Sequence, residues 1–180
     1  MWHTLREDVF FQRGMAPLLW VEKMILVGSC LVIALLLWKF VPRERLRDAW
    51  VIFLFNQIIT GAGGPFVVEK RMLEYPVREF SYANSTSFVF EFYAYPALCV
   101  LFNLHYPEGK GLARGLLHYL LFTSGITAYE KVLEVYTDLI RYIKWEWYWT
   151  FVSIWLTFWI TRVFYLWFRK ALPGGDARVP

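Results

Sequence analysis

The stretch MILVGSCLVIALLLW, residues 24–38, contains no charged side chain and no proline. Extended to residues 20–41, it gives the run of about 20 mainly apolar residues that crosses a hydrocarbon core about 30 Å thick. Four more runs of this kind follow. Residues 48–68 carry Asn56, Gln57 and the GAGGP stretch at 61–65; residues 85–106 contain Glu91 and Pro96; residues 112–129 carry His118; residues 147–168 are the most aromatic. Backbone groups in lipid must be satisfied within their own segment, and no run alternates with the period of two that a barrel strand needs. The expected fold is therefore all-α: a polytopic membrane helix bundle of about five transmembrane helices, with an amphipathic helix at the interface before the last.

Composition points the same way. Of 180 residues, 58% are hydrophobic, 21% aromatic and only 19% charged, and the mean hydropathy is +0.38. Soluble domains average about 45–50% apolar and about 25% charged residues, so the excess must face something other than water. The expected organisation is a polar or amphipathic segment at 1–19, one transmembrane helical domain at 20–168 and a short polar tail at 169–180. A large soluble enzyme on an anchor and a disulfide scaffold are both excluded. The net charge of +4 is carried by short cationic clusters between apolar runs, not by a basic stripe with reader motifs, so no nucleic-acid partner is expected. Cys30 and Cys99 lie inside apolar runs without C-x-x-C spacing and read as buried small hydrophobes. The halves show no repeat, which disfavours an inverted-repeat transporter.

Orientation follows from the flanks. Lys39, Arg43, Arg45 and Arg47 form the densest basic cluster, and Arg169, Lys170 and Arg178 close the chain. With five spans both groups face the same side, which places the C-terminus in and the N-terminus out. The opposite flanks also carry cations, among them Arg6, Lys23, Lys70, Arg71, Arg141 and Lys144, so the assignment rests on density. Across 131–145 apolar residues recur at helical spacing, with Glu134, Asp138, Arg141 and Lys144 opposite. This predicts an amphipathic surface helix or an extension of the fourth span, and the period does not separate the two. Trp145, Trp147, Tyr148 and Trp149 are expected as interface anchors, their rings having an apolar body and a polar handle.

Several motifs resemble a known family. Tyr75-Pro76-Val77-Arg78, Ala83-Asn84-Ser85-Thr86-Ser87-Phe88 leading to Glu91 and Pro96, and Val100-Leu101-Phe102-Asn103-Leu104-His105-Tyr106-Pro107 are similar to stretches in small multi-spanning membrane proteins of endospore-forming Bacillus and Clostridium relatives. Tyr136-Thr137-Asp138-Leu139-Ile140-Arg141-Tyr142-Ile143, the Trp147-Tyr148-Trp149 run and Arg162 carry the same likeness, which covers about residues 42–169. The resemblance implies a bacterial plasma-membrane protein of four to six spans. It implies no activity or cofactor for any residue, and a link to sporulation would follow from the kind of organism alone.

Glu91 is the candidate with most chemical content. It stands about six residues into its span, about 9 Å below the interface at 1.5 Å per residue, and intramembrane ionisable groups usually mark an ion or substrate path. Asn84, Ser87, Glu91 and Ala94 share a helical face, and Gly61, Ser124 and Ser153 fall near the same level. Glu91 either binds a cation or proton, or is a protonated structural carboxyl hydrogen-bonded across the bundle. Asn56, Gln57, Ser87, Ser124 and His118 complete the candidate ion or ligand path. Asn56 and Gln57 suit interhelical hydrogen bonds. The 61–65 stretch either unwinds the end of the second span or starts a loop beyond it. A lone His118 reads as a packed, hydrogen-bonded side chain, and Arg162 as a residue near enough to its helix end to snorkel. No metal-ligand spacing, nucleophile elbow or P-loop is present, so no catalytic, cofactor or metal site is expected.

The leading expectation is thus a membrane protein acting through packing, a membrane-protein partner or a second copy of itself. A small transporter or channel using Glu91 is the alternative, and an enzyme ranks third for want of a second convergent polar group.

Overall fold

Helix formation follows the apolar runs, because a chain out of water has to satisfy its backbone locally. The computed structural model describes residues 2–79 and 85–171, with side chains from residue 20 onward. Asn84, the side chains of the 1–19 segment and the tail beyond residue 171 lie outside the described residues. In chain order the elements are α1 (Trp2–Phe40), a 3-10 turn (Arg43–Arg45), α2 (Leu46–Glu69), β1 (Leu73–Glu74), a π-helical turn (Phe90–Ala94), α3 (Tyr95–Leu104), α4 (Leu112–Tyr136), β2 (Arg141–Tyr142) and α5 (Trp147–Ala171). The π-helical turn runs directly into α3.

Among the described residues the regular structure is helical apart from one two-residue strand pair. Three helices among the described residues, Trp20–Phe40, Arg43–Glu69 and Trp147–Ala171, are long and apolar enough to cross a membrane. The expected third span is shorter, an apolar helix at Phe90–Leu104. The expected fourth has the length, with 25 residues in α4, but Arg114, Glu130, Lys131 and Glu134 dilute its apolar character.

Two loop pairs fix the direction of the helices. β1 and β2 pair antiparallel, Leu73 with Tyr142 and Glu74 with Arg141, which holds the loops before α3 and before α5 at one end. At the other end Arg45 donates to the Leu104 carbonyl (3.1 Å). Successive helices therefore alternate up and down. α3 is the hub, with Ala97, Cys99, Val100, Phe102 and Asn103 all buried. The Phe102 ring lies 4.6 Å from Tyr119 and 5.0 Å from Phe158.

Solvent preference is inverted relative to a soluble protein. Met24, Leu31, Leu35 and Trp38 of α1 are exposed, as are Leu54, Ile58, Leu121 and Trp159, while Asn56, Glu91, Thr123, Glu130, Thr161 and Arg162 are buried. An apolar exterior around polar groups is the arrangement a lipid solvent favours.

Two local expectations are corrected. Residues 131–145 do not form a separate surface helix: α4 extends the expected fourth span through 131–136, as the second alternative had it, then ends at Tyr136, and the chain turns back into the strand pair. Thr137 is extended; its hydroxyl donates to the Leu133 carbonyl (2.6 Å) and accepts from the Leu139 N–H (3.2 Å). The Asp138 N–H goes to Glu22 (2.7 Å), and the adjacent Leu139 and Ile140 both enter the core. Side-chain capping and burial of consecutive residues override the helical spacing. Nor does α2 unwind at 61–65, since it continues through Pro65 to Glu69.

Candidate functional site

The π-helical turn creates the site. Widening a helix by one residue leaves carbonyls without their usual intrahelical donors, and α2 supplies replacements. Gln57 donates to the Phe92 carbonyl (2.8 Å), and Thr60 donates to the Glu91 carbonyl (2.5 Å). The turn carries the Glu91 side chain against α2 at Gly64, where a Cβ would stand 2.6 Å from Glu91 Cδ. Close approach, rather than an unusual dihedral, is what requires glycine there.

Glu91 is 6% exposed and lines a cavity of about 170 Å³. A second carboxylate, Glu130 of α4, also 6% exposed, lines the same cavity. The Tyr75 hydroxyl donates to Glu91 Oε1 (3.1 Å). Glu130 accepts from Tyr95 at Oε2 (2.7 Å), and from Tyr142 and Thr150 at Oε1 (2.6 Å each). Trp145 Nε1–H donates in turn to the Thr150 hydroxyl (2.8 Å). Burial, and then the neighbouring Glu130 carboxylate, push the Tyr142 hydroxyl upward, so it remains a donor.

Charge balance in the cavity is one-sided. Among the described residues none that lines it is Lys, Arg or His. Lys131 lies 5.3 Å from the centre of the Tyr142 ring and is engaged with Glu134 (2.6 Å). Three hydroxyl donors converge on the Glu130 carboxyl oxygens. Among the described residues the Glu91 carboxyl has a single donor, Tyr75. Such a pair of carboxylates, ringed by hydroxyls and without a cation, can hold a proton or a small cation. Among the described residues no group of three His, Cys, Asp or Glu side chains has metal-binding geometry.

The expected site residues divide as follows. Glu91 and Ser153 line the cavity. Gln57 holds the π-helical turn behind it. Ser87 is buried one turn before Glu91 and donates to Glu79 (3.3 Å). Asn56 is fully buried between helices and donates to Thr161 of α5 (3.0 Å). His118 lies apart, hydrogen-bonded to the Phe102 carbonyl (3.0 Å) and packed on its ring (4.9 Å). Ser124 is on the exposed face of α4 and does not line the cavity. The buried hydroxyls nearby are Thr123 and Thr127, because about 100° of rotation per residue turns position 124 outward. Trp145 is half-buried in the cavity wall, while Trp147, Tyr148 and Trp149 are exposed at the start of α5.

Arg162 does not snorkel. It is 6% exposed, stacks over Tyr106 at 4.1 Å and donates to Glu108 (2.9 Å), which also receives Arg169 (3.0 Å). Burial raises the Glu108 carboxyl, but the hydrogen bond and charge of Arg162, with Arg169 and Arg45, outweigh it and hold the group below the ordinary range.

Glu130, Tyr75, Tyr95, Tyr142 and Thr150 were not anticipated as site residues. Glu130 stands one position beyond the expected end of the fourth span, where it reads as a flank charge. The available signal was Tyr95, four residues after Glu91 and so on the same helical face. Comparison with known proteins brings no relative: no family model, curated protein or solved structure matches the chain.

Proposed function

We propose that the chain is a small multi-pass carrier of the bacterial plasma membrane that binds a proton or small monovalent cation between Glu91 and Glu130. One observation carries this reading: two buried carboxyl groups share a cavity whose lining, among the described residues, includes no cationic side chain. The bacterial setting rests on the family resemblance of the motifs. In this reading all five helices cross, with the N-terminus out and the C-terminus in. Their alternating direction supports that, as does the grouping of Lys39, Arg43, Arg47 and Lys170 at helix ends that share one side. No cofactor enters the reading.

A structural or partner-binding role is the competing reading, favoured by the complete hydrogen bonding of Glu130, which fastens α3, α4 and α5 together. Reconstitution into liposomes with a pH-sensitive or cation-sensitive dye separates the two. A carrier gives a flux that Glu91→Gln abolishes while the thermal melt stays cooperative. Wild-type silence with both proton and monovalent-cation gradients would favour the structural role.

A further inference from the structure

A second cavity meets the first. It is a crevice of about 560 Å³ between α1, α3 and α4, with Val32, Leu36, Leu98, Leu121 and Phe122 among its walls. Its lining is overwhelmingly apolar, and its size falls within the range of about 300–1,000 Å³ typical of small-molecule sites. Tyr95 and Glu130 line both the crevice and the polar cavity, so these two residues stand between them. Ser29 of α1 and Tyr129 of α4 are joined across the crevice by a hydroxyl hydrogen bond (2.6 Å). Among the described residues no Lys, Arg or His lines either space.

We infer that the crevice is the binding site for a lipophilic cation, its apolar groups between α1 and α4 and its charge directed at Glu130. The inference goes beyond the carrier reading: the crevice is a separate space that shares only Tyr95 and Glu130 with the polar cavity. Three features support a cation with apolar substituents. The wall selects apolar bulk by burial. Among the described residues the one carboxyl lining the crevice is that of Glu130 and no cationic side chain lines it, so charge complementarity disfavours an organic anion. The Tyr95 ring beside that carboxylate offers a cation–π face, a contact that strengthens when water is excluded.

Gly125 provides a clean test, since it lines the crevice and a Cβ built on it meets nothing within 4 Å. A Cβ there displaces no protein atom, and a larger side chain extends from it beside the ligand space. The probe is tetraphenylphosphonium, which carries a permanent charge, with triphenylphosphine oxide as a neutral analogue of similar bulk. Binding to the full chain in lipid nanodiscs is measured by equilibrium dialysis. The expected result is saturable binding by the wild type, weakened about tenfold or more by Glu130→Gln, as for loss of a charged partner, and by Gly125→Leu. Val32→Phe, on the opposite wall, is the second blocking variant should Gly125→Leu melt early.

Absence of saturable wild-type binding, equal binding of the neutral analogue, or insensitivity to both blocking variants would overturn the inference. Dye-reported flux of the wild type without the probe reads the carrier function separately. Flux without probe binding sinks the lipophilic-cation site alone, whereas mapped binding without proton or cation flux sinks the carrier reading and leaves the site.

Discussion

Gly64 and Glu91 are in direct opposition across the interface between α2 and the π-helical turn, with no room for a side chain between them. A Cβ at 64 would stand 2.7 Å from Glu91 Oε1, whereas one at Gly63 meets nothing within 4 Å. Gly64→Ala is therefore expected to displace the carboxylate, destabilise the fold by about 1–3 kcal/mol as overpacking does, and reduce flux. Gly63→Ala is the matched control and should leave thermal stability unchanged or raise it by about 0.5–1 kcal/mol through helix propensity. Equal melting temperatures and fluxes for the two variants would contradict the contact.

The π-helical turn depends on α2 for its carbonyls. Gln57→Leu leaves the Phe92 carbonyl without its side-chain donor, and Thr60→Val does the same for Glu91. Each substitution should cost about 1–3 kcal/mol, the usual penalty for stranding a buried acceptor. The check is denaturation of the purified protein in mild detergent, with flux falling in parallel because both bonds position Glu91.

Glu130 predicts a different pattern. Tyr142→Phe removes one of its three hydroxyl donors, and an intramolecular hydrogen bond is worth about 0.5–1.5 kcal/mol net. Thr150→Val should be worse than Tyr142→Phe, because it also strands the Trp145 N–H. Melting followed by tryptophan fluorescence tests the order, and the reverse ranking would show that Thr150 does not connect Trp145 to Glu130.

The ion pair at the opposite end gives a pH signature. Because the folded-state carboxyl of Glu108 is lowered, its contribution is fully present above the unfolded value of about 4.3 and is lost as pH falls through the folded value. Melting temperature should therefore drop below about pH 4 for the wild type. Glu108→Gln, which leaves the buried Arg162 guanidinium without its anion, should lower stability at neutral pH by about 1–3 kcal/mol and flatten this acid dependence. An unchanged acid limb in the variant would assign the effect to other carboxylates.

Much of the bundle was legible because lipid acts on each residue locally. Runs such as residues 24–38 declare their solvent whatever they touch, and Glu91 stands out against its apolar neighbours by position alone. The 131–145 region misleads for the opposite reason: its apolar spacing fits a helix, yet Thr137 ends the helix and Arg141 and Tyr142 pair with a strand far earlier in the chain. Ser124 misleads because a level along the axis says nothing of which way a side chain points.

The sequence by itself determined that the chain is helical, that its helices present apolar surfaces, and that one acid is set into an apolar span. Only the tertiary structure decided that Glu130 joins Glu91, that tyrosines from two loops and α3 surround them, and that Gly64 makes room. The reason is physical. Hydropathy and helix formation are settled within a few turns of chain, but a cavity depends on which faces of different helices meet, and that is fixed by packing over the whole bundle.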